Sequence, residues 1–91
     1  MRNRTITIYA DPGHAWAKVS KTDKAFQAIK DKVSHFSYMT ESHVFLEEDC
    51  DLKLYIEQLI DMGHTKETIK YRFIVAKERS SRIRGYNRYR A

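Results

Sequence analysis

The sequence predicts a single α+β domain in which two helices cover one face of a five-stranded, largely antiparallel sheet. Three observations predict it. The chain has 91 residues, the length of one small domain. Several short segments alternate apolar and polar residues, and two longer ones carry apolar residues at helical spacing. The predicted order over residues 1–91 is strand, strand, helix, strand, strand, helix, strand.

The first half of the chain predicts a hairpin followed by a helix. "RTITIYA" and "AWAKVS" alternate as strands do, and "DPGH" separates them with turn residues, so we expect a loop wider than two residues. Gly13 is expected to supply the positive φ of a type II turn. Ser20 is expected to cap a three-turn helix in "KTDKAFQAIKDKV", with Asp23 completing a capping box.

The second half predicts two strands, a helix and a fifth strand. "SHFSYM" and "HVFLEE" are joined by the polar turn "TES", and "TIKYRFIVA" alternates again. Asp49 or Asp51 is expected to cap the helix, and Gly63 to end it. Its apolar stripe consists of Leu52, Tyr55, Ile56, Leu59 and Ile60.

The composition excludes several classes of protein. A single cysteine, Cys50, excludes an internal disulfide framework and a cysteine-only zinc site, and it fits a reducing compartment. The chain has no apolar run near 18 residues and no signal-peptide core, so we expect a cytoplasmic protein with no membrane contact. No HExxH, GxGxxG or nucleophile-elbow motif is present, so no catalytic residue and no cofactor is predicted.

Positive charge is concentrated at the C-terminal end. Residues 1–65 hold eight Lys/Arg and ten Asp/Glu, a balance of −2, whereas residues 66–91 hold nine and two, a balance of +7. We expect a basic tail from about residue 78 to residue 91, and the asymmetry suggests an anionic partner. The predicted contact residues for nucleic acid or an acidic partner are Lys70, Arg72, Arg79, Arg82, Arg84, Tyr86, Arg88 and Tyr89. A merely solvated basic end is the alternative.

The stretch "DPGHAW" has two interpretations. As a turn, it would use Asp11 to accept backbone N–H bonds and would pack Trp16 on the sheet. As a functional site, it would offer a carboxylate and an imidazole to a metal or a proton transfer. We predict a structural turn that also exposes Asp11, His14 and Trp16 on one rim, where a partner binds.

The stretch "EEDCD" also has two interpretations. Clustered carboxylates bind hard cations, but acids at the start of a helix also cap it and offset its dipole, which is the favoured explanation. Cys50 is expected to be a small buried residue rather than a nucleophile. We therefore predict no metal site.

Three segments carry a resemblance to small proteins of unknown activity encoded by tailed bacteriophages and prophages. These segments are "DPGHAW" at 11–16, "FSYMTESHVFLEEDCD" at 36–51 and "SSRIRGYNRY" at 80–89. The chain departs from the group's pattern with Ala15 where glycine is usual and Phe45 in place of tyrosine. The resemblance implies a phage accessory protein and assigns no activity to any residue.

Three functional hypotheses follow. The first is a non-enzymatic phage accessory protein that binds a host component and inhibits a host nucleic-acid enzyme or defence complex. The second is a nucleic-acid-binding module using residues 70–90. The third is a metal-dependent hydrolase built from Asp11, His14, Glu47, Glu48 and Asp49. Because a sheet of this size has a second face, on which Tyr38 and Phe45 are expected, a homodimer is also consistent with the sequence.

Overall fold

The computed structural model describes residues 2–76 and 81–91. Within them lie six strands, two α-helices and one 3₁₀ turn, Arg82–Gly85. The elements in chain order are β1 Arg4–Ala10, β2 Ala15–Ser20, α1 Lys24–Ile29, β3 Tyr38–Met39, β4 His43–Glu47, α2 Leu52–Asp61, β5 Ile69–Val75 and β6 Asn87–Arg88.

The α+β class with two helices is confirmed, but the sheet differs from the prediction in two respects. It has six strands in the order β5-β1-β2-β4-β3-β6, and β5 pairs with β1 in parallel. β4 runs parallel to β1, because each of them is antiparallel to β2. Helix α2 connects β4 to β5 as a crossover, so β5 runs in the same direction as β4 and pairs with β1 in parallel. β6 has only two residues, too few to produce an alternating pattern.

The main core lies between one sheet face and the two helices. Alternate residues of β1, β2 and β4 point to this face, which is why each strand shows a period of two. Residues of α1 and α2 cover this face of the sheet and complete the core. Its buried members include Ile6, Ile8, Ala17, Val19, Val44, Leu46, Phe26, Ile29, Tyr55 and Leu59.

Helix α1 is shorter than predicted and is capped by a different residue. The Asp23 carboxylate accepts the backbone N–H of Phe26 at 3.0 Å, whereas Ser20 ends β2 in register with His43. The prediction of a Ser20 cap is therefore wrong, because sheet pairing keeps Ser20 in the strand. Asp23 also accepts the Tyr55 hydroxyl at 2.9 Å and pairs with Arg4 at 2.8 Å, which ties β1 to both helices.

Helix α2 confirms most of its predicted stripe. Tyr55 and Leu59 are buried, whereas Ile60 at the edge of the stripe is 50% exposed. Asp51 occupies the N-cap position, but its carboxylate makes no cap bond. Gly63 follows the helix with a φ of 103°, as its predicted role requires.

Asp51 serves the loop before β3 instead of the helix. Its buried carboxylate accepts the backbone N–H of Ser34 at 3.0 Å and the hydroxyls of Ser34 and Ser37. The Ser37 hydroxyl in turn accepts the backbone N–H of Glu47 at 2.9 Å. This network fixes the start of α2 beside the end of β4. In the described part of the chain, neither helix has the length and apolar content that crossing a bilayer requires.

Candidate functional site

The candidate site is the sheet face opposite the helices, which we call the second face. Paired residues of neighbouring strands point to the same face. One row of this face crosses all six strands and places cations at three of its six positions. In spatial order, the row is Arg72, Thr7, Lys18, Phe45, Tyr38 and Arg88.

The C-terminal segment 81–91 packs across this face. Ile83 of the 3₁₀ turn is buried against three aromatic residues of the sheet, Trp16, Tyr38 and Phe45. The segment then adds β6 beside β3. It divides the second face into a cleft beside the DPGH turn and a groove beside β1.

Asp11 joins the DPGH turn to the C-terminal segment. Its Oδ1 atom accepts the backbone N–H groups of Gly13 and His14, both at 2.9 Å, as predicted for a turn residue. Its Oδ2 atom accepts the backbone N–H of Ser81 at 2.9 Å. Arg84 donates Nε to Oδ2 at 2.8 Å and Nη2 to Oδ1 at 3.0 Å. The bidentate Arg84 guanidinium holds the pKa of Asp11 far below its ordinary value.

The loop is wider than two residues, as predicted, but the predicted role of Gly13 is wrong. Among the described residues, only Gly63 has a positive φ. A Cβ atom on Gly13 would lie 2.8 Å from the Arg84 Nη2 atom. Glycine at position 13 lets the guanidinium pass this close to the backbone, and a larger residue would have to displace it from its bonds to Asp11.

The prediction that the turn exposes Asp11, His14 and Trp16 together is wrong for two of the three residues. Asp11 is buried by Arg84, and Trp16 is 1% exposed because Arg84 lies 5.2 Å from its ring and Tyr38 meets it edge-on. Its packing on the sheet is as the turn interpretation expects. His14 alone is exposed.

His14 and the acids at the end of β4 and directly after it do come together. The His14 Nδ1 atom lies 3.3 Å from Glu47 Oε1, and one donor atom from each of four residues falls within 4.8 Å of the others. We call His14, Glu47, Glu48 and Asp49 the four-donor cluster. Asp11, the fifth residue of the hydrolase hypothesis, is bound to Arg84 instead. An imidazole and carboxylates are ligands that divalent cations accept.

Glu47 already has a structural role in this cluster. Its side chain is buried, and its Oε2 atom accepts the backbone N–H groups of Asp49 at 2.8 Å and Cys50 at 3.0 Å. Capping by "EEDCD" is thus performed by Glu47 on the turn before α2. The prediction of a buried Cys50 is wrong, since its side chain is exposed. Local desolvation and the charge of Glu47 raise the pKa of its thiol, which disfavours the nucleophilic thiolate.

The cleft is a cavity of about 320 Å³ with an aromatic floor. Arg88 lies over the Tyr38 ring at 4.6 Å, and exposed Phe36 stacks on His35. Both signs of charge line the cleft, since Glu47 and Asp49 contribute to it together with Arg84 and Arg88. The lining residues are His14, Trp16, Phe36, Tyr38, Glu47, Asp49, Cys50, Arg84 and Arg88.

The groove is larger, and the charged residues of the described chain that line it are both cations. Its volume is about 620 Å³, and it lies on the other side of the 3₁₀ turn. It contains three aromatic rings and two cations, and no acid lines it among the described residues. The lining residues are Tyr9, Lys18, Phe45, Ala76, Ser81, Arg82, Ile83 and Tyr86.

The predicted C-terminal contact residues therefore separate into groups. Lys70, Arg72, Arg82 and Arg88 are exposed, and Tyr86 is half-buried at the groove. Tyr89 does not belong to a contact surface, because it is buried against Phe26 and donates its hydroxyl to the Lys30 carbonyl. Arg84 uses its Nε and Nη2 groups to bind Asp11. Arg79 lies outside the described residues.

Two groove residues were missed from the sequence, although a signal for them exists. Tyr9 and Lys18 lie in predicted strands at positions that alternate with core residues. The alternation assigns both to the face away from the helices. What it does not show is that β1 and β2 place them beside Arg82 and Tyr86, more than 60 residues away in sequence.

No family model, no curated protein and no solved structure matches this chain. The geometry of the second face is therefore what bears on its function.

Proposed function

We propose that this protein is a non-enzymatic nucleic-acid-binding module, and that single-stranded nucleic acid binds in the groove of the second face. The observation that carries the proposal is the groove itself: half-buried tyrosines lie beside cations in it, and no carboxylate of residues 2–76 and 81–91 lines it. Proteins that bind single strands combine these two features, since cations contact phosphates while rings stack on bases.

The electrostatics of the groove extend onto the neighbouring strands. Arg72, Thr7 and Lys18 lie in one row across β5, β1 and β2, and Lys70 lies two positions from Arg72 on the same face. Adjacent strands are about 4.8 Å apart, so Arg72 and Lys18 have Cα atoms ~10 Å apart. Burial and the charge of Lys18 lower the pKa of nearby His43, which disfavours its charged form. A polyanion that enters the groove thus meets several cations in succession.

Two aromatic rings of the groove keep part of their surface exposed, which supports the proposal that bases stack on them. Tyr9 and Tyr86 are half-buried, and each packs against Phe45 at ring-centroid distances of 6.2 and 5.2 Å. Phe45 is buried and supports both rings from below. Stacking of one base on such a ring contributes ~1–3 kcal/mol.

The test is fluorescence anisotropy with a labelled single strand of ~12 nucleotides and a duplex of equal length, since one small fold covers ~4–16 nucleotides. The decisive variant changes Lys70, Arg72 and Arg82 to Ala. Its matched control changes Lys24, Lys32 and Lys53 to Ala, which removes the same charge from the helical side of the molecule.

We expect the Lys70/Arg72/Arg82 variant to weaken single-strand binding at least ~10-fold, because it removes three proposed phosphate contacts in and beside the groove. The control variant should bind within about twofold of the original protein. Equal losses in both variants would show that only net charge matters and would overturn the proposal. Tighter binding of the duplex than of the single strand would also overturn it.

A second candidate function is a phage accessory protein, acting in the host cytoplasm, that binds a host protein through the cleft. The supporting observation is the cluster of exposed Phe36 with Arg88 over Tyr38, since aromatic residues and arginine are the preferred anchors of protein interfaces. Capture from host lysate treated with nuclease separates the two functions. A partner retained after nuclease treatment and lost in Phe36→Ala supports the cleft, whereas loss of all partners on nuclease treatment refutes it.

A further inference from the structure

We propose that two copies of this chain associate by antiparallel pairing of their β5 strands, with Phe73 facing Phe73 of the second copy across a two-fold axis. This surface is separate from the groove, and the proposal does not depend on nucleic-acid binding. β5 is the outermost strand of the sheet. Three of its apolar side chains are exposed, Tyr71 by 46%, Phe73 by 67% and Val75 by 70%.

The hydrogen bonds to β1 determine which backbone groups of β5 point outward. Arg4 N–H donates to the Thr68 carbonyl, and Ala76 N–H donates to the Ala10 carbonyl. With the parallel register of the two strands, even-numbered residues of β5 therefore bond to β1. The N–H and C=O groups of Tyr71, Phe73 and Val75 point away from the sheet, so the edge offers three residues for pairing.

The charges of β5 favour one register of self-pairing. If Phe73 faces its own copy, Tyr71 faces Val75, and Arg72 faces Ile74. Tyr71, Phe73 and Val75 then all form hydrogen-bonded pairs, and no two like charges are directly opposed among these residues. Pairing centred one residue earlier would place Arg72 directly against Arg72, which is destabilising. Tyr71 and Phe73 already pack together at 6.4 Å between centroids, so the dimer would join two aromatic pairs on the helical side.

The opposite edge of the sheet lacks these features. Its strand β6 has two residues, Asn87 and Arg88, and both are polar. Proteins commonly protect long edges with charge, but the charges of β5 lie at Lys70 and Arg72, whose backbone groups are used by β1. Among the described strands, β5 is thus the edge on which a second copy fits.

The dimer would place the second faces of both copies on the same side of a continuous sheet. Arg72 of one copy would then lie near the axis, diagonal to Arg72 of the other at ~7–8 Å, with Lys70 farther out along each strand. These cations repel one another, and added salt screens them. Dimerisation should consequently strengthen as the salt concentration rises.

The test is sedimentation equilibrium over protein concentrations up to ~1 mM, because pairing along one edge buries an area typical of weak association. The original protein should show a monomer–dimer equilibrium. Phe73→Lys and Phe73→Glu, each alone, should be monomeric, because each places two like charges in contact at the axis. An equimolar mixture of the two variants should dimerise again as a heterodimer.

The matched control is the pair Phe36→Lys and Phe36→Glu, at another exposed phenylalanine far from β5. Each should dimerise as the original protein does, alone and mixed. Circular dichroism on all variants confirms that they are folded. A monomeric original protein overturns the proposal, and so does dimerisation that survives both single Phe73 variants. Failure of the mixture to dimerise refutes the Phe73-to-Phe73 register.

Discussion

The Asp11–Arg84 ion pair should be the strongest link between the C-terminal segment and the sheet, and Asp11→Asn tests it. The Asp11 side chain is inaccessible to solvent and accepts bonds from Gly13, His14, Ser81 and, twice, Arg84. Breaking a buried pair costs ~3–5 kcal/mol, but Arg84 is 35% exposed and regains some hydration. We therefore expect the free energy of unfolding to fall by ~2–4 kcal/mol.

The assay is urea unfolding followed by the fluorescence of Trp16, the chain's single tryptophan, which lies directly beneath Arg84. Asp61→Asn, at an exposed carboxylate of α2, is the control and should change stability by no more than ~0.5 kcal/mol. An Asp11→Asn protein as stable as this control would refute the assignment of Asp11 as the link.

The pH dependence gives a second check on the same pair. The pKa of Asp11 is lowered in the folded protein, so the pair stabilises the fold above the unfolded pKa, near 3.8, and this contribution is lost as pH falls toward the folded value. The stability difference between the original protein and Asp11→Asn should be constant above about pH 5 and shrink below about pH 4. A difference that stays constant down to pH 2 would contradict this.

Three further predictions concern the core, the turn and the acidic cluster. Leu59→Ala should lower the free energy of unfolding by ~2–5 kcal/mol in urea titrations. Ile60→Ala, at a half-exposed position, should lower it by less than ~1 kcal/mol. Equal losses would contradict the orientation of α2 described above. Gly13→Ala should lower the free energy of unfolding by ~1–3 kcal/mol, because it displaces the Arg84 guanidinium. The control Gly85→Ala should show no such loss, because its added Cβ meets nothing within 4 Å. Elemental analysis of protein purified without chelator should find less than ~0.1 equivalent of zinc, manganese or iron, because the buried Glu47 carboxylate already bonds to two backbone N–H groups; one bound equivalent would contradict this and support the hydrolase hypothesis.

Local signals in the sequence predicted the elements that depend on local physics. The apolar stripe of α2 spans three turns, and a glycine in the left-handed region ends it, so its position was evident from spacing alone. The turn role of Asp11 was likewise predictable, because its carboxylate accepts the backbone N–H groups of residues two and three positions further along the chain. Alternation likewise located β1, β2, β4 and β5.

The remaining features depend on contacts between distant parts of the chain. Arg84 binds Asp11 across 73 positions, and nothing in "DPGH" indicates that an arginine will bury the aspartate. The parallel direction of β5 depends on where α2 crosses the sheet, which no strand pattern records. The groove has the same origin, since Tyr9 and Tyr86 meet only after segment 81–91 folds back over the second face.

The salt dependence of single-strand binding tests the central claim most directly, because it counts the phosphates that the second face contacts. Each phosphate contact with a single strand contributes about 0.7 to the slope of log K against log salt. Changing Lys70, Arg72 and Arg82 to Ala should therefore reduce the slope by ~2, while the control change of Lys24, Lys32 and Lys53 to Ala leaves it unaltered. A slope that is the same in all three proteins would contradict binding at the groove.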